Sequence, residues 1–257
     1  MREHFTTRKL RNLIYSGILT CFLLGSPPGA DGADFHHPLD FHLSNAYQDD
    51  LPGLLKRAYI RVLITMNRTN FFLADGKVKG FEYALLKEYE KHLNQGSGPG
   101  KLKTTLEFIP VTRDRLLPGV VEGFGDIAAA GLTITEERRK MVAFTEPYLT
   151  GINEILVTYK KTKAPENLDE LSGKRIFVRK SSSYYESLNA LNRRLQKKNF
   201  SPVKIVMLDE SLETEDILEL VNTGALQRTV SDSHIAEIWS EVLDDIMVHE
   251  NIKFREG

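Results

Sequence analysis

Arg138 stands three residues after Thr135 in the run TITEERRK, and that spacing is the chain's clearest chemical signal. Thr135 reads as a helix N-cap, with Glu136 and Glu137 in the first turn and Arg138 at the third helical position. A capping box would place Glu or Gln there, and acidic side chains suit the positive end of the helix dipole. An arginine at that position costs a little helix stability. It therefore invites a second role, a guanidinium fork that joins the first-turn amides around a carboxylate. The competing reading is a solvated arginine on a charged helix face, EERRK. The spacing leaves both open.

Two further clusters follow strand-like runs. Ser181, Ser182 and Ser183 come directly after RIFVRK and before a helical pattern, where hydroxyls and free amides make an anion cradle. Plain N-capping explains one serine well and three in a row less well. Asp232, in TVSDSHIA, also sits between a strand and a helix. It reads either as an N-cap or as a carboxylate for an ammonium group. A guanidinium on one half of the molecule and a carboxylate on the other would read the two ends of an amino acid. Each charged hydrogen bond contributes about 1.5–3 kcal/mol net. Several together reach the roughly −8 kcal/mol of a micromolar ligand.

The elements needed to position these groups are legible from periodicity. Arg61–Met66 reads as a strand, and Phe81, Leu85, Tyr89 and Leu93 as the packed face of a helix after Gly80. Alternation at Leu102, Thr104, Leu106 and Phe108 predicts a strand. Arg113–Val121 predicts a short helix broken or started at Pro118, and Gly125–Ala130 a buried strand. Ile152–Tyr159 predicts a linking strand. A second series follows: strand Lys174–Val178, helix Tyr184–Gln196, strand Val203–Leu208, helix Thr214–Val221, strand Arg228–Ser231 and helix Ser233–Leu243. Two β/α series joined by one strand predict an α/β protein of two lobes with a cleft between them. Ligands in such sheets bind beyond the carboxyl ends of strands, where Gly131, Thr133, the serines and Asp232 all fall.

Composition narrows the function classes. The 257 residues are 41% hydrophobic, enough for a sizeable core, and the formal net charge of −1 gives no reason to expect a nucleic-acid partner. Arg8, Lys9 and Arg11 precede the apolar stretch Leu13–Leu24, which is short for a membrane span and suits a secretory signal. Small residues at Ala30-Asp31-Gly32 put the expected cleavage near Ala33. An uncleaved anchor, or a lipoprotein signal through Cys21, is the alternative. Cys21 is the sole cysteine, so a cleaved product would hold no disulfide and no thiolate metal site. Export without disulfides points to a bacterial periplasm. His36, His37 and His42 form a His-rich tract without a Cys partner, and no metal or other cofactor is expected. The chain has no HExxH, GxSxG or Walker loop.

With these residues in view, the sequence resembles the bacterial extracellular solute-binding proteins of family 3, the amino-acid type. The carrying motifs are GFEYALL at 80–86, GDIAAAGLTITEERRKMVAFTEPY at 125–148, VRKSSSYYESL at 178–188 and TVSDSHIA at 229–236. The wording around 113–148 is similar to the sensor domain of membrane-bound lytic murein transglycosylase F-like proteins. The resemblance implies a two-lobed periplasmic-binding-protein type II fold, with a signal at 1–33, a lead-in at 34–57, lobe 1 at 58–153 and a hinge strand with lobe 2 at 154–257. It implies that Arg138 binds a ligand α-carboxylate, assisted by Thr133, Ser182 and Ser183. Asp232 takes the α-amino group with the Gly131 carbonyl, and an aromatic at Phe71 or Phe72 covers the ligand. The expected partner is an amino acid or small cell-wall peptide, with a membrane or transporter partner and outer-membrane association as options. The family's catalytic muramidase-like domain and its second crossover strand are not found before Gly257, so the chain reads as truncated at the C-terminus. No catalytic residue is assigned: Glu186-Ser187 and Glu210-Ser211 read as helix surface and loop. The alternatives are part of a lytic transglycosylase, or a small dehydratase on the same fold.

Overall fold

Side chains that alternate or run apolar build two sheets, each with helices on both faces. The computed structural model describes residues 45–96, 98 and 102–257. The expected signal at 1–33, with Cys21, and the tract His36, His37 and His42 lie outside the described residues. All described residues belong to one compact unit.

The first sheet is parallel, with strand order β4-β1-β5: β1 (Tyr59–Ile64), β4 (Thr105–Pro110) and β5 (Ile127–Ala129). Val62 pairs with Phe108 on one side and Ile127 on the other. Helix α2 (Phe81–Leu93) packs Tyr83, Leu86, Tyr89 and Leu93 against one face, where Ile60, Val62 and Ile64 point. Helix α3 (Arg113–Val121) packs Leu116 against Leu63 on the other.

Three sequence expectations need correction in this lobe. The packed face of α2 is not the 81/85/89/93 stripe, because Phe81 and Leu85 are exposed. A strict four-residue step precesses by about 40° on a 3.6-residue helix, so only the end of that stripe meets the sheet. Helix α3 also runs through Pro118. The ladder bond lost there frees the Asp114 carbonyl, which lies on the exposed side of the helix. Finally, the lead-in is not unpatterned: Leu51–Arg57 forms helix α1, and the buried Arg61 ties residues 45 and 47 to the lobe through their carbonyls. A hairpin of β2 (Phe72–Ala74) and β3 (Lys77–Lys79) turns at Asp75 and Gly76, both at positive φ, an Asp-Gly signal that the periodicity reading passed over.

The second sheet has strand order β10-β6-β9-β7-β8. It contains β6 (Glu154–Tyr159), β7 (Arg175–Arg179), β8 (Lys204–Leu208), β9 (Arg228–Asp232) and β10 (Ile246–Arg255). Helix α5 (Ser183–Lys197) buries Leu188, Leu191 and Leu195 on one face with Leu156, Ile176, Val178 and Val230. Helices α6 (Thr214–Asn222) and α7 (Ser233–Ser240) cover the other, with Leu218 and Ala236 against Ile155 and Val157. A strand that periodicity did not predict lies at the edge of this sheet. β10 runs antiparallel to β6, and Arg255 returns beside Glu154, where the sheet began. Sequence periodicity missed it because its burial pattern is irregular and its register shifts after His249. The whole is a mixed α/β protein of two lobes.

Candidate functional site

Arg138 is buried, and it belongs to the one-turn helix α4 (Glu136–Arg139) capped by Thr135. The Thr135 hydroxyl accepts from the Arg138 amide at 3.2 Å, as the spacing required. The guanidinium is turned inward rather than onto a solvated helix face. It donates through Nη1 to the Thr133 carbonyl at 2.8 Å and through Nη2 to the Ser181 carbonyl at 3.0 Å. The second bond crosses from lobe 1 to lobe 2. Burial pushes the Arg138 pKa down, while Glu186 beside it favours the charge.

The serines divide their work. Ser182 is the N-cap of α5: its hydroxyl accepts from the Tyr185 amide and donates to the Arg179 carbonyl at 2.7 Å. Ser183 donates across the lobes to the Thr133 hydroxyl at 3.3 Å. Ser181 is held by Glu210, which accepts from its amide at 3.1 Å and from its hydroxyl.

Asp232 occupies the N-cap position of α7, yet its side chain makes no cap hydrogen bond. The carboxylate is therefore not committed to the helix end. It is buried beside Tyr184, whose hydroxyl accepts from the Asp232 amide at 3.0 Å. Burial raises the Asp232 carboxyl to about 7, with Glu154 adding to the rise; Tyr184, Arg113 and Arg138 oppose it. Burial and the Asp232 charge likewise push the Tyr184 hydroxyl up.

Gly131 adopts a left-handed conformation at φ 57° and donates its amide to Glu82 Oε1 at 2.9 Å. The Tyr148 hydroxyl donates to the same oxygen at 2.9 Å. Glu82 Oε2 is buried without a hydrogen-bond partner, and burial raises this carboxyl as well. Phe71 is a correction. Its ring is packed among Tyr83 and Phe108 in the lobe-1 core, so it is not free to cover a ligand. Phe72, next along β2, is half-buried.

Several site-forming residues escaped the sequence reading. Glu186 and Ser187 are not helix surface: Ser187 is buried and donates to Glu154, and Glu186 accepts from Thr135 at 3.4 Å across the lobes. Glu186 also lies 4.0 Å from Arg138 Nε and 3.4 Å from Arg255 Nη2. Arg255 reaches Glu154 at 3.7 Å. A charged residue opening an apolar strand, as in EILVTY, was the available signal for Glu154. An inward acid in GFEYALL was the signal for Glu82. Among the described residues, no group of three or more His, Cys, Asp or Glu side chains is placed to hold a metal ion. A surface hollow of about 530 Å³, lined partly by Glu166, Asp169, Arg194 and Lys253, contains none of the candidate residues.

The arrangement divides between the lobes: the Arg138 guanidinium, the Thr133 hydroxyl and Gly131 on one, the Ser183 hydroxyl and the buried Asp232 carboxylate on the other. It has donors for a carboxylate and an acceptor for an ammonium. Among the described residues no helix is long and apolar enough to cross a membrane.

Comparison with known proteins places the chain in a family. The membrane-bound lytic murein transglycosylase F of Saccharophagus degradans is 30% identical over 179 residues, which is 68% of this chain and 33% of that protein. The protein of the same name from Ectopseudomonas mendocina is 30% identical over 201 residues, 75% of this chain and 37% of its own length. The chain thus spans about a third of these relatives. Among solved structures, an ancestral arginine-binding protein bound to arginine superimposes with a TM-score of 0.63 at 23% identity, covering 78% of this chain and 81% of that one. Holo ArgBP from T. maritima gives 0.60 at 23% identity, covering 77% and 80%. These structures establish the fold as that of periplasmic amino-acid-binding proteins. Residues 60–241 match the profile of one family, and the chain belongs to it: the bacterial extracellular solute-binding proteins, family 3.

Proposed function

We propose that this chain is a periplasmic solute-binding or sensor domain that recognises a small zwitterion, an amino acid or a short cell-wall peptide. Arg138 takes the ligand carboxylate, with Thr133 and Ser183 assisting. Asp232 and the Gly131 carbonyl take the ammonium, and Phe72 covers the apolar part. The observation that carries this reading is the Asp232 carboxylate. It is buried and uncommitted to its helix, within electrostatic reach of Arg138 on the other lobe. A buried carboxylate raised to about 7 gains most from an ammonium partner, because a salt-bridged charge relieves the cost of burial.

Titration calorimetry with a panel of free amino acids and purified muropeptides tests the proposal. Micromolar binding that an Arg138→Ala variant loses supports it. Equal binding by wild type and variant overturns the assignment.

A second reading rests on the relatives named as lytic murein transglycosylases. In it, the domain serves as the sensor of a longer, envelope-located murein-degrading protein. With no catalytic acid assigned among the described residues, the proposed role here is recognition rather than cleavage. Release of soluble product from murein by the purified chain would reverse that.

A further inference from the structure

Beside Arg138 and Asp232, and within electrostatic reach of both, the two lobes meet at a buried ion-pair cluster. Arg113 opens α3 in lobe 1, and Glu213 immediately precedes α6 in lobe 2. Arg113 donates through Nε and Nη2 to Glu213 Oε2 at 3.0 and 2.7 Å, and Nε lies 3.3 Å from Oε1. The side chains of Arg113 and Glu213 are 14% and 5% exposed. Arg179 Nη1, from the last residue of β7, lies 3.9 Å from Glu213 Oε2, and its side chain is 2% exposed. Arg179 also donates to the Leu212 carbonyl and, at 3.2 Å, to the Thr214 hydroxyl. Its own carbonyl accepts from Ser182.

The same acidic edge of lobe 2 makes two more crossings. Glu215 accepts from the Thr69 hydroxyl at 2.7 Å. Glu219 pairs with Arg68, whose guanidinium lies 5.5 Å from the centre of the Trp239 ring.

We infer that Glu213 is the latch of the cleft, a positioning residue whose single carboxylate binds guanidiniums from both lobes and so holds the domain closed. The physical reason is the arrangement of charge. With Glu213 in place, two buried arginines share one counter-ion. Without it, Arg113 and Arg179 are left as like charges in a desolvated site, with only the more distant Glu215 and Glu210 to offset them, which is unfavourable. Moving the lobes apart rehydrates Arg113 and separates the like charges. The latch also connects to the recognition serines, because Arg179 carries the carbonyl that fixes Ser182. The inference rests on the two-lobed reading of the fold, and its test needs no ligand.

Spin labels at Leu85→Cys on α2 and Met207→Cys on β8, both exposed positions, on a Cys21→Ser background, report the distance between lobes by pulsed electron resonance. Wild type is expected to give one narrow distance. Glu213→Gln is expected to move the distribution to longer, broader distances, with circular dichroism unchanged. Arg113→Gln is expected to open the cleft less, since Glu213 keeps Arg179. It also serves as the readout if Glu213→Gln fails to fold, because lobe 2 then keeps its own pair intact. A folded Glu213→Gln or Arg113→Gln variant with the wild-type distance distribution overturns the inference.

Discussion

Glu154 and Asp232 lie directly opposite each other on the antiparallel strands β6 and β9, and both carboxyls are buried. Like charges so placed destabilise a sheet. The Asp232 carboxyl accordingly titrates at about 7, against an ordinary 3.8, with burial as the larger cause. A carboxyl that holds its proton more tightly in the fold stabilises fully below its unfolded pKa. That contribution is lost as pH rises through the folded value. Glu82 and Glu215 are raised by burial in the same direction. Asp232 is therefore expected to cost the ligand-free domain stability between about pH 4 and about pH 7, with Glu82 and Glu215 acting in the same direction. Asp232→Asn is expected to raise the melting temperature at about pH 8 and flatten the profile. The gain is bounded near 4 kcal/mol, since one pKa unit is about 1.4 kcal/mol. Thermal melts across pH check both statements.

Binding should show the opposite trend. If an ammonium pairs with ionised Asp232, the carboxyl must lose its proton first. Affinity for an amino acid is then expected to fall by up to about tenfold per pH unit below 7. Calorimetry in buffers of different ionisation enthalpy should show proton release on binding at about pH 6. Affinity flat from pH 5 to 8 would remove Asp232 from the ammonium site.

Arg138→Ala removes two bonds to carbonyls and the proposed carboxylate anchor. At about 1.5–3 kcal/mol per charged hydrogen bond, affinity is expected to fall at least 100-fold. Arg138→Lys keeps the charge and loses the fork, so it should recover only part of the loss. Dissociation constants from calorimetry decide between these outcomes.

The neighbouring serines should separate stability from closure. Ser182→Ala deletes the cap of α5 and is expected to cost about 1 kcal/mol in chemical denaturation. Ser183→Ala leaves the cap in place. Its expected effect is on ligand dissociation rate, measured by stopped flow, with stability within about 0.5 kcal/mol of wild type.

Leu188 is fully buried where α5 meets the second sheet. Leu188→Ala is expected to cost about 2–5 kcal/mol by urea titration, the range for a cavity left in a packed core.

How much of this was readable beforehand depends on whether a signal was local. Strand and helix series, the Thr135 cap and the placing of Arg138 followed from periodicity and capping chemistry, because those act over a few residues. The stripe on α2 was misplaced because a four-residue repeat drifts around a helix. β10 went unread because its exposed and buried residues do not alternate. Phe71 and Phe72 differ by one position, yet Phe71 is buried in the lobe-1 core and Phe72 is half-buried, which no local pattern separates. The partners Glu186 and Glu213 left no local signal, and Glu82 and Glu154 only an acid within an apolar run, for another reason. Each is an ordinary acid in sequence, and its role arises from contacts 33 to 100 residues away.

The outgoing strand β10 ends in a residue wired to the recognition centre. Arg255 touches Glu154, which abuts Asp232, and Glu186, which abuts Arg138. If Arg138 and Asp232 grip the ligand as proposed, displacing β10 would shift the charge balance at both through this one guanidinium.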